Sequence, residues 1–140
     1  MGDTILTAQA KAHGGREGHV QSENGVIDLK LKMPKAGEEV KDATNPEQLF
    51  AAGYAACFDG ALNLIASKAK KEIESEIEAE VSLVKDSSDG GFKIAVTLNA
   101  LVQGVSDEEA NELVHKAHDF CPYSKATRGN VEVTLNVITR

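Results

Sequence analysis

The 140-residue chain has no tryptophan, only two cysteines and three prolines, and just 4% aromatic residues. Each scarcity excludes something. Two cysteines, Cys57 and Cys121, 64 positions apart, cannot form a stapled disulfide framework, and no CxxC pair marks a zinc ribbon. No basic run or basic aromatic-rich face accompanies the net charge of −7, which argues against a phosphate-tracking surface and leaves nucleic acid out as a partner. The opening MGDTILTAQAKAHGG lacks a charged-then-apolar signal pattern. The most apolar stretch, interrupted by Asp59, Asn63 and glycines, is read as too broken to span a bilayer. A soluble, cytoplasmic protein with no membrane partner is expected. Arginine is scarce as well, three against twelve lysines, so Arg16, Arg128 and Arg140 each need a reason.

What is present is organised around Thr44–Ser67, TNPEQLFAAGYAACFDGALNLIAS. Asn45 suits an N-cap, Pro46 the first helical position, and Gln48 the returning partner of a capping box. From Leu49 onward Asp59 is the only charge before Lys68, so other elements must cover most of this helix. A chain of this size cannot hide it easily, which points to an oligomer. Before it, Thr4–Ala12 favours a strand, and His19–Met33 reads as a hairpin turning on Asn24-Gly25 with a type I′ geometry. After it, alternation at Ile77, Ala79, Val81 and Leu83, then at Phe92, Ile94, Val96, Leu98 and Ala100, predicts a second hairpin. Ser106-Asp107-Glu108-Glu109 is a capping box opening a helix to about Asp119, Cys121-Pro122 breaks it, and Val131–Val137 closes the chain as a strand. Without an alternating βαβ order, the class is α+β with mainly antiparallel sheet, in one domain spanning residues 1–140.

The chemistry centres on the thiols. Cys121 precedes a proline at a helix start, where N–H groups favour a thiolate, whereas Cys57 sits in an apolar helix where burial raises its pKa. A reactive Cys57 therefore needs a cation, and Arg16 and Arg128, each beside a glycine, are the candidates. On local sequence alone Arg16 is equally well a solvated turn residue, and Glu47 reads first as a charge complementing the helix dipole. A different reading takes His115, His118 and Cys121, at i, i+3 and i+6, as zinc ligands in a structural domain, with Cys57 as a fourth.

The strings GGREGHV, NGVIDLKL, TNPEQLFAAGYAACFDGAL and CPYSKATRGNVEVTLNV, in this order and across nearly the whole chain, closely resemble the organic hydroperoxide resistance proteins of the OsmC/Ohr family. Two departures are visible: KAGEEVKDA before the central helix is poorer in glycine than the family pattern, and Lys125 stands where Asn is expected. The resemblance implies an intertwined α+β homodimer and thiol-dependent reduction of organic or fatty-acid hydroperoxides. It implies that Cys57 is the peroxidatic thiolate, Cys121 the resolving thiol, Arg16 the activating cation and Glu47 the carboxylate that orients it. No bound cofactor is implied; a dithiol, a dihydrolipoyl group on a lipoylated protein, serves as reductant. Within the family the OsmC branch is the nearer alternative, and GGREGHV with the CPYSKATRGN tail favours the hydroperoxide resistance branch. Leu49, Phe50, Tyr54 and Phe58 are expected to form an apolar wall for the organic part of the substrate. Glu47 and Cys57, ten positions apart on one helix, differ by roughly 15 Å along its axis, so either Arg16 spans part of that distance or Glu47 and Arg16 reach Cys57 from a partner chain, and a site at the dimer interface is favoured.

Overall fold

A computed structural model describes residues 2–140. Its elements are β1 (Ala10–His13), β2 (His19–Ser22), β3 (Asp28–Lys30), α1 (Pro46–Lys68), β4 (Glu74–Lys85), β5 (Phe92–Gln103), α2 (Asp107–Phe120), α3 (Pro122–Thr127) and β6 (Glu132–Thr139), with a 3-10 turn at Gly15–Glu17. The class is α+β, as the element order predicted. The chain divides into two compact units, Met1–Leu49 and Phe50–Arg140, and the division falls within the first turn of α1.

In the first unit β1, β2 and β3 form an antiparallel sheet. The Asn24-Gly25 hairpin differs from the type I′ turn expected. Only Gly25 is left-handed, with φ 77°. Asn24 instead uses its side chain to accept the Val26 N–H at 3.1 Å, and the Ser22 carbonyl accepts the Gly25 N–H at 3.0 Å. This local side-chain competition with the backbone lengthens the turn, so β3 starts at Asp28 rather than at Val26. Beyond β3, Leu31 pairs with Thr44 in an isolated parallel bridge that ties off the intervening loop. Leu31 and Thr44 are the buried residues of this unit; all of β1 and β3 is exposed.

At the start of α1 the Asn45 carboxamide oxygen accepts the Gln48 N–H at 2.8 Å, the expected N-cap. The Gln48 side chain reaches one residue further back than a capping box requires and meets the Thr44 hydroxyl at 2.5 Å.

In the second unit the sheet order is β4-β5-β6, antiparallel between β4 and β5 and parallel between β5 and β6. The parallel joint needs a crossover, which α2 and α3 supply. Alternation sets the register: Ile77 pairs with Ala100, Ala79 with Leu98 and Val81 with Val96, and Val133, Leu135 and Val137 continue the same face across β6. That face packs with Tyr54, Phe58, Ala61, Leu62 and Ala66 of α1 and with Ala110, Leu113, Val114 and Ala117 of α2 into the core. The predicted Ser106–Glu109 capping box opens α2, with both of its reciprocal bonds at 3.2 Å.

Only one side of α1 is used in this way. By length and composition α1 is long and apolar enough to cross a membrane, contrary to the expectation from Asp59, Asn63 and the glycines; 28% of its most apolar window is buried. Asp59 and Asn63 are tied to each other and to Ser75 of β4, with Asn63 Nδ2 2.9 Å from the Ser75 hydroxyl.

Candidate active site

Two of the expected site residues meet in the second unit. Cys57, midway along α1, and Cys121, the residue between α2 and α3, hold their sulfurs 3.6 Å apart as free thiols. Cys121 is fully buried, whereas Cys57 keeps some exposure. A disulfide needs about 2.05 Å, so the pair is close to bonding distance without being bonded.

The backbone determines which thiol receives help. Sequence reasoning placed the stabilising N–H groups of a helix start at Cys121 itself. The Cys121 N–H is instead spent on the Ala117 carbonyl at 2.8 Å, extending α2. The backbone of Tyr123, in the first turn of α3, acts on Cys57 instead, favouring its thiolate. Burial pushes the Cys57 thiol above its ordinary value and the Tyr123 backbone opposes that rise, while the neighbouring Cys121 thiol adds to it. The balance holds Cys57 toward its thiol form.

Beneath this pair lies a polar network that motif reasoning missed. The Tyr54 hydroxyl sits 2.7 Å from the Ser124 hydroxyl, and His118 Nδ1 meets the same Ser124 oxygen at 2.8 Å. The Tyr54 hydroxyl is also 3.4 Å from the Thr127 hydroxyl. Ser124 and Thr127 are buried, and among the described residues no buried side-chain polar atom lacks a partner. The only sequence signal was hydroxyl residues at i and i+3 in a helix that is otherwise mostly exposed. Arg128, the second candidate cation, donates from Nη2 to the His118 carbonyl at 2.7 Å and so satisfies the last turn of α2. Burial, and then the Arg128 charge, hold His118 below its ordinary pKa. The zinc reading finds no support: His115 Nδ1 meets the Asn111 carbonyl, His118 meets Ser124, and among the described residues no three His, Cys, Asp or Glu side chains gather as ligands.

Of the aromatic wall, Tyr54 and Phe58 are wholly buried in the core and Phe50 is half-buried, while Leu49, in the first unit, is half-buried as well. An unbroken apolar helix does not mark which side is inward, so core and wall residues look alike in the sequence. Tyr123, not anticipated, stands edge-on to Phe50 with centroids 5.9 Å apart and lies across Gly53. A Cβ at Gly53 would come within 2.4 Å of the Tyr123 hydroxyl. Gly53→Ala is therefore expected to swing this partly exposed ring outward and speed alkylation of Cys57 severalfold. Stability should change little, because a helix-propensity gain of up to about 1 kcal/mol offsets the lost ring contact. Unchanged alkylation with an unchanged melting temperature would show that Tyr123 does not shield the thiol.

The first unit supplies an arginine clamp. Gly14 and Gly15 take left-handed backbone at φ 81° and 66°, and a Cβ at Gly18 would sit 1.8 Å from the His13 carbonyl oxygen, so this tight 3-10 turn requires its glycines. It presents Arg16 to Glu47 in a two-pronged pair, Nη1 to Oε1 at 2.6 Å and Nη2 to Oε2 at 2.9 Å. The Arg16 hydrogen bond holds the Glu47 carboxyl below the usual carboxylate range. Glu17 accepts the Met33 N–H at 2.7 Å, and Met33 Sδ lies 4.0 Å from Arg16 Nη1, so the loop after β3 rests on the same turn. Arg16 and Glu47 are thus brought together, as are Cys57 and Cys121.

Comparison with known proteins places this arrangement among relatives. Residues 36–136 match the OsmC-like protein family. The chain is 58% identical over 133 residues to the organic hydroperoxide resistance protein OhrB of Bacillus subtilis (strain 168), covering 95% of this chain and 98% of that protein. It is 52% identical over 139 residues to OhrA of the same organism, covering 98% and 99%. The crystal structure of the Bacillus subtilis OhrB superposes with a TM-score of 0.89 at 56% identity, over 96% of this chain and 99% of the other.

Proposed function

Since the chain belongs to the OsmC-like family, among its organic hydroperoxide resistance proteins, we propose that it is a thiol-dependent peroxidase that reduces organic hydroperoxides to alcohols. The observation that carries this reading is the half-buried Cys57 sulfur held 3.6 Å from the buried Cys121 sulfur. The Cys57 thiolate attacks one peroxide oxygen and forms an S–O bond. The O–O bond breaks, and the alkoxide leaves with a proton as the alcohol. The Cys57 sulfenic acid then condenses with the Cys121 thiol, forming the Cys57–Cys121 disulfide and releasing water. An external dithiol, a dihydrolipoyl group carried on a protein, takes the disulfide back to two thiols by exchange. No bound cofactor takes part. Arg16 lowers the thiol pKa and stabilises the charge on the departing oxygen, and Glu47 positions Arg16. The cycle needs free thiols, which suits a reducing cytoplasm.

A second copy of the chain is part of this proposal. Both faces of the β1-β2-β3 sheet are largely open, too exposed for a stable unit by itself. α1 presents a stripe of small or polar exposed residues, Ala52, Ala56, Gly60, Asn63 and Ser67, which allows close approach of another helix. A homodimer covers these surfaces better than lipid does, because the hydrogen-bonded Asp59, Asn63 and Ser75 group would be costly to place in hydrocarbon.

The test is to follow consumption of tert-butyl hydroperoxide with dihydrolipoamide, glutathione or thioredoxin as donor, and to map cysteines after one equivalent of peroxide without donor. Rapid turnover with the dithiol and an intramolecular Cys57–Cys121 disulfide are expected. Peroxide that leaves both thiols alkylatable would overturn the proposal.

A further inference from the structure

We propose that Ser124 is a positioning residue for the disulfide-forming half of the cycle: through Tyr54 and His118 it holds Cys121 against Cys57, an inference that rests on the peroxidase reading of Cys57. α3 is six residues long, too short to persist without packing. Its buried side chains are Ser124 and Thr127, both hydroxyls, whereas Tyr123, Lys125 and Ala126 are exposed. α3 therefore has no apolar anchor in the core. The segment that follows Cys121 is seated by hydrogen bonds, which weaken steeply with misalignment and so fix position more narrowly than apolar contact does.

Ser124 gathers three elements. Its hydroxyl meets the Tyr54 hydroxyl of α1 at 2.7 Å and His118 Nδ1 of α2 at 2.8 Å. Thr127 spends its own proton on the Ser124 carbonyl at 3.1 Å, so it offers Tyr54 only an acceptor, 3.4 Å away. The Tyr54 proton takes the shorter path to Ser124, and the Ser124 proton then goes to His118 Nδ1. This order needs a neutral His118, which burial and the Arg128 charge favour. The tie reaches both sulfurs. Tyr54 precedes Cys57 by three positions, about one turn of α1. Ser124 follows Cys121 by three, in the turn closed by the Lys125 N–H on the Cys121 carbonyl at 2.9 Å. On its other side Cys121 is held by α2 through the Ala117 carbonyl. The sulfurs therefore start 3.6 Å apart, and a disulfide needs only about 1.5 Å more of approach. Attack on peroxide by Cys57 draws on α3 only through the Tyr123 backbone, whereas capture of the sulfenic acid needs Cys121 itself in place.

The experiment uses Ser124→Ala and Tyr54→Phe, which remove opposite ends of one hydrogen bond, and the double variant. After one equivalent of tert-butyl hydroperoxide without donor, rapid-quench mass analysis times the sulfenic acid and the disulfide. Disulfide formation should slow about tenfold in Ser124→Ala, less than a displacement of about 1 Å can cost, while peroxide consumption slows far less. Excess peroxide should then leave more Cys57 sulfinic acid than in the wild type, since a longer-lived sulfenic acid is open to a second oxidation. Tyr54→Phe should act in the same direction, and the double variant should be little worse than Ser124→Ala alone. In a buffer of reduced and oxidised dithiothreitol the Cys57–Cys121 disulfide of Ser124→Ala should be about tenfold less favoured, a potential about 30 mV higher. A lower melting temperature with unchanged disulfide rate and potential would overturn the inference, because Ser124 would then be merely structural. So would peroxide consumption and disulfide formation falling together. Should Ser124→Ala not fold, Tyr54→Phe carries the same test. A wild type that consumes no peroxide would refute the peroxidase reading instead, and the potentials would then decide the role of Ser124 by themselves.

Discussion

Cys57→Ser is expected to lower organic hydroperoxide reduction by at least about a thousandfold, because a serine hydroxyl at neutral pH offers almost no anion and cannot form the sulfenic acid. Cys121→Ser should behave differently. It retains the attacking thiol, so one equivalent of peroxide is consumed at close to the wild-type rate. Turnover with a dithiol donor then stops, unless an external thiol captures the sulfenic acid. Rapid-mix consumption of tert-butyl hydroperoxide, followed by mass analysis of the protein, separates the two: Cys57→Ser stays unmodified and Cys121→Ser gains a single oxygen or a thiol adduct. Sustained activity of Cys57→Ser would remove the mechanism altogether. The pH dependence follows from the direction of the Cys57 shift. Burial raises that thiol above its ordinary value, so the rate of the first turnover should climb as pH rises through neutrality rather than reach a plateau in mild acid. An Arg16 contribution to lowering the pKa would move that climb to lower pH, which makes the profile a measure of how much the clamp supplies.

Much of this was readable before any coordinates. Asn45-Pro46 and Ser106–Glu109 carry their helix starts in local chemistry, and the strand register follows from alternation, because slipping by one residue would turn Val96 and Leu98 outward. The roles expected of Cys57, Cys121, Arg16 and Glu47 came from the family resemblance, since local sequence alone leaves Arg16 a turn residue and Glu47 a charge complementing the helix dipole. What escaped depends on relations that no short window contains. The Tyr123 backbone can favour the Cys57 thiolate only because α2 runs on to Phe120 and the chain then turns at Cys121 into α3. Tyr54 and Phe58 look like pocket residues until the strands and α2 show which side of α1 is inward. At the hairpin the misreading was local: the Asn24 side chain outcompeted the backbone turn that the dipeptide usually signals.

Arg16→Lys tests whether the clamp acts as a fork or merely as a charge. Lysine keeps the positive charge but cannot make two parallel bonds to one carboxylate, so its ammonium loses the orientation that Glu47 imposes on the guanidinium. A fall in kcat/KM of about a hundredfold is expected, the size associated with displacing a catalytic group by about 1 Å. Glu47→Gln should cost less, about tenfold, since a neutral amide still accepts one of the two bonds. The decisive comparison is the double variant. If Glu47 works only by positioning Arg16, Glu47→Gln adds almost nothing on the Arg16→Lys background, whereas full additivity would assign it an independent role. Stability offers a separate check with a definite sign. Glu47 has a folded pKa below its unfolded one, so its contribution is complete above the ordinary carboxylate range and is lost as pH falls through the lowered value. Arg16 is 41% exposed, and screening limits that contribution to about 1 kcal/mol or less. Melting temperatures of wild type and Glu47→Gln should therefore differ slightly at neutral pH and converge in acid, while their activities differ far more. A small loss of stability beside a large loss of rate is what separates a positioning residue from a merely structural one.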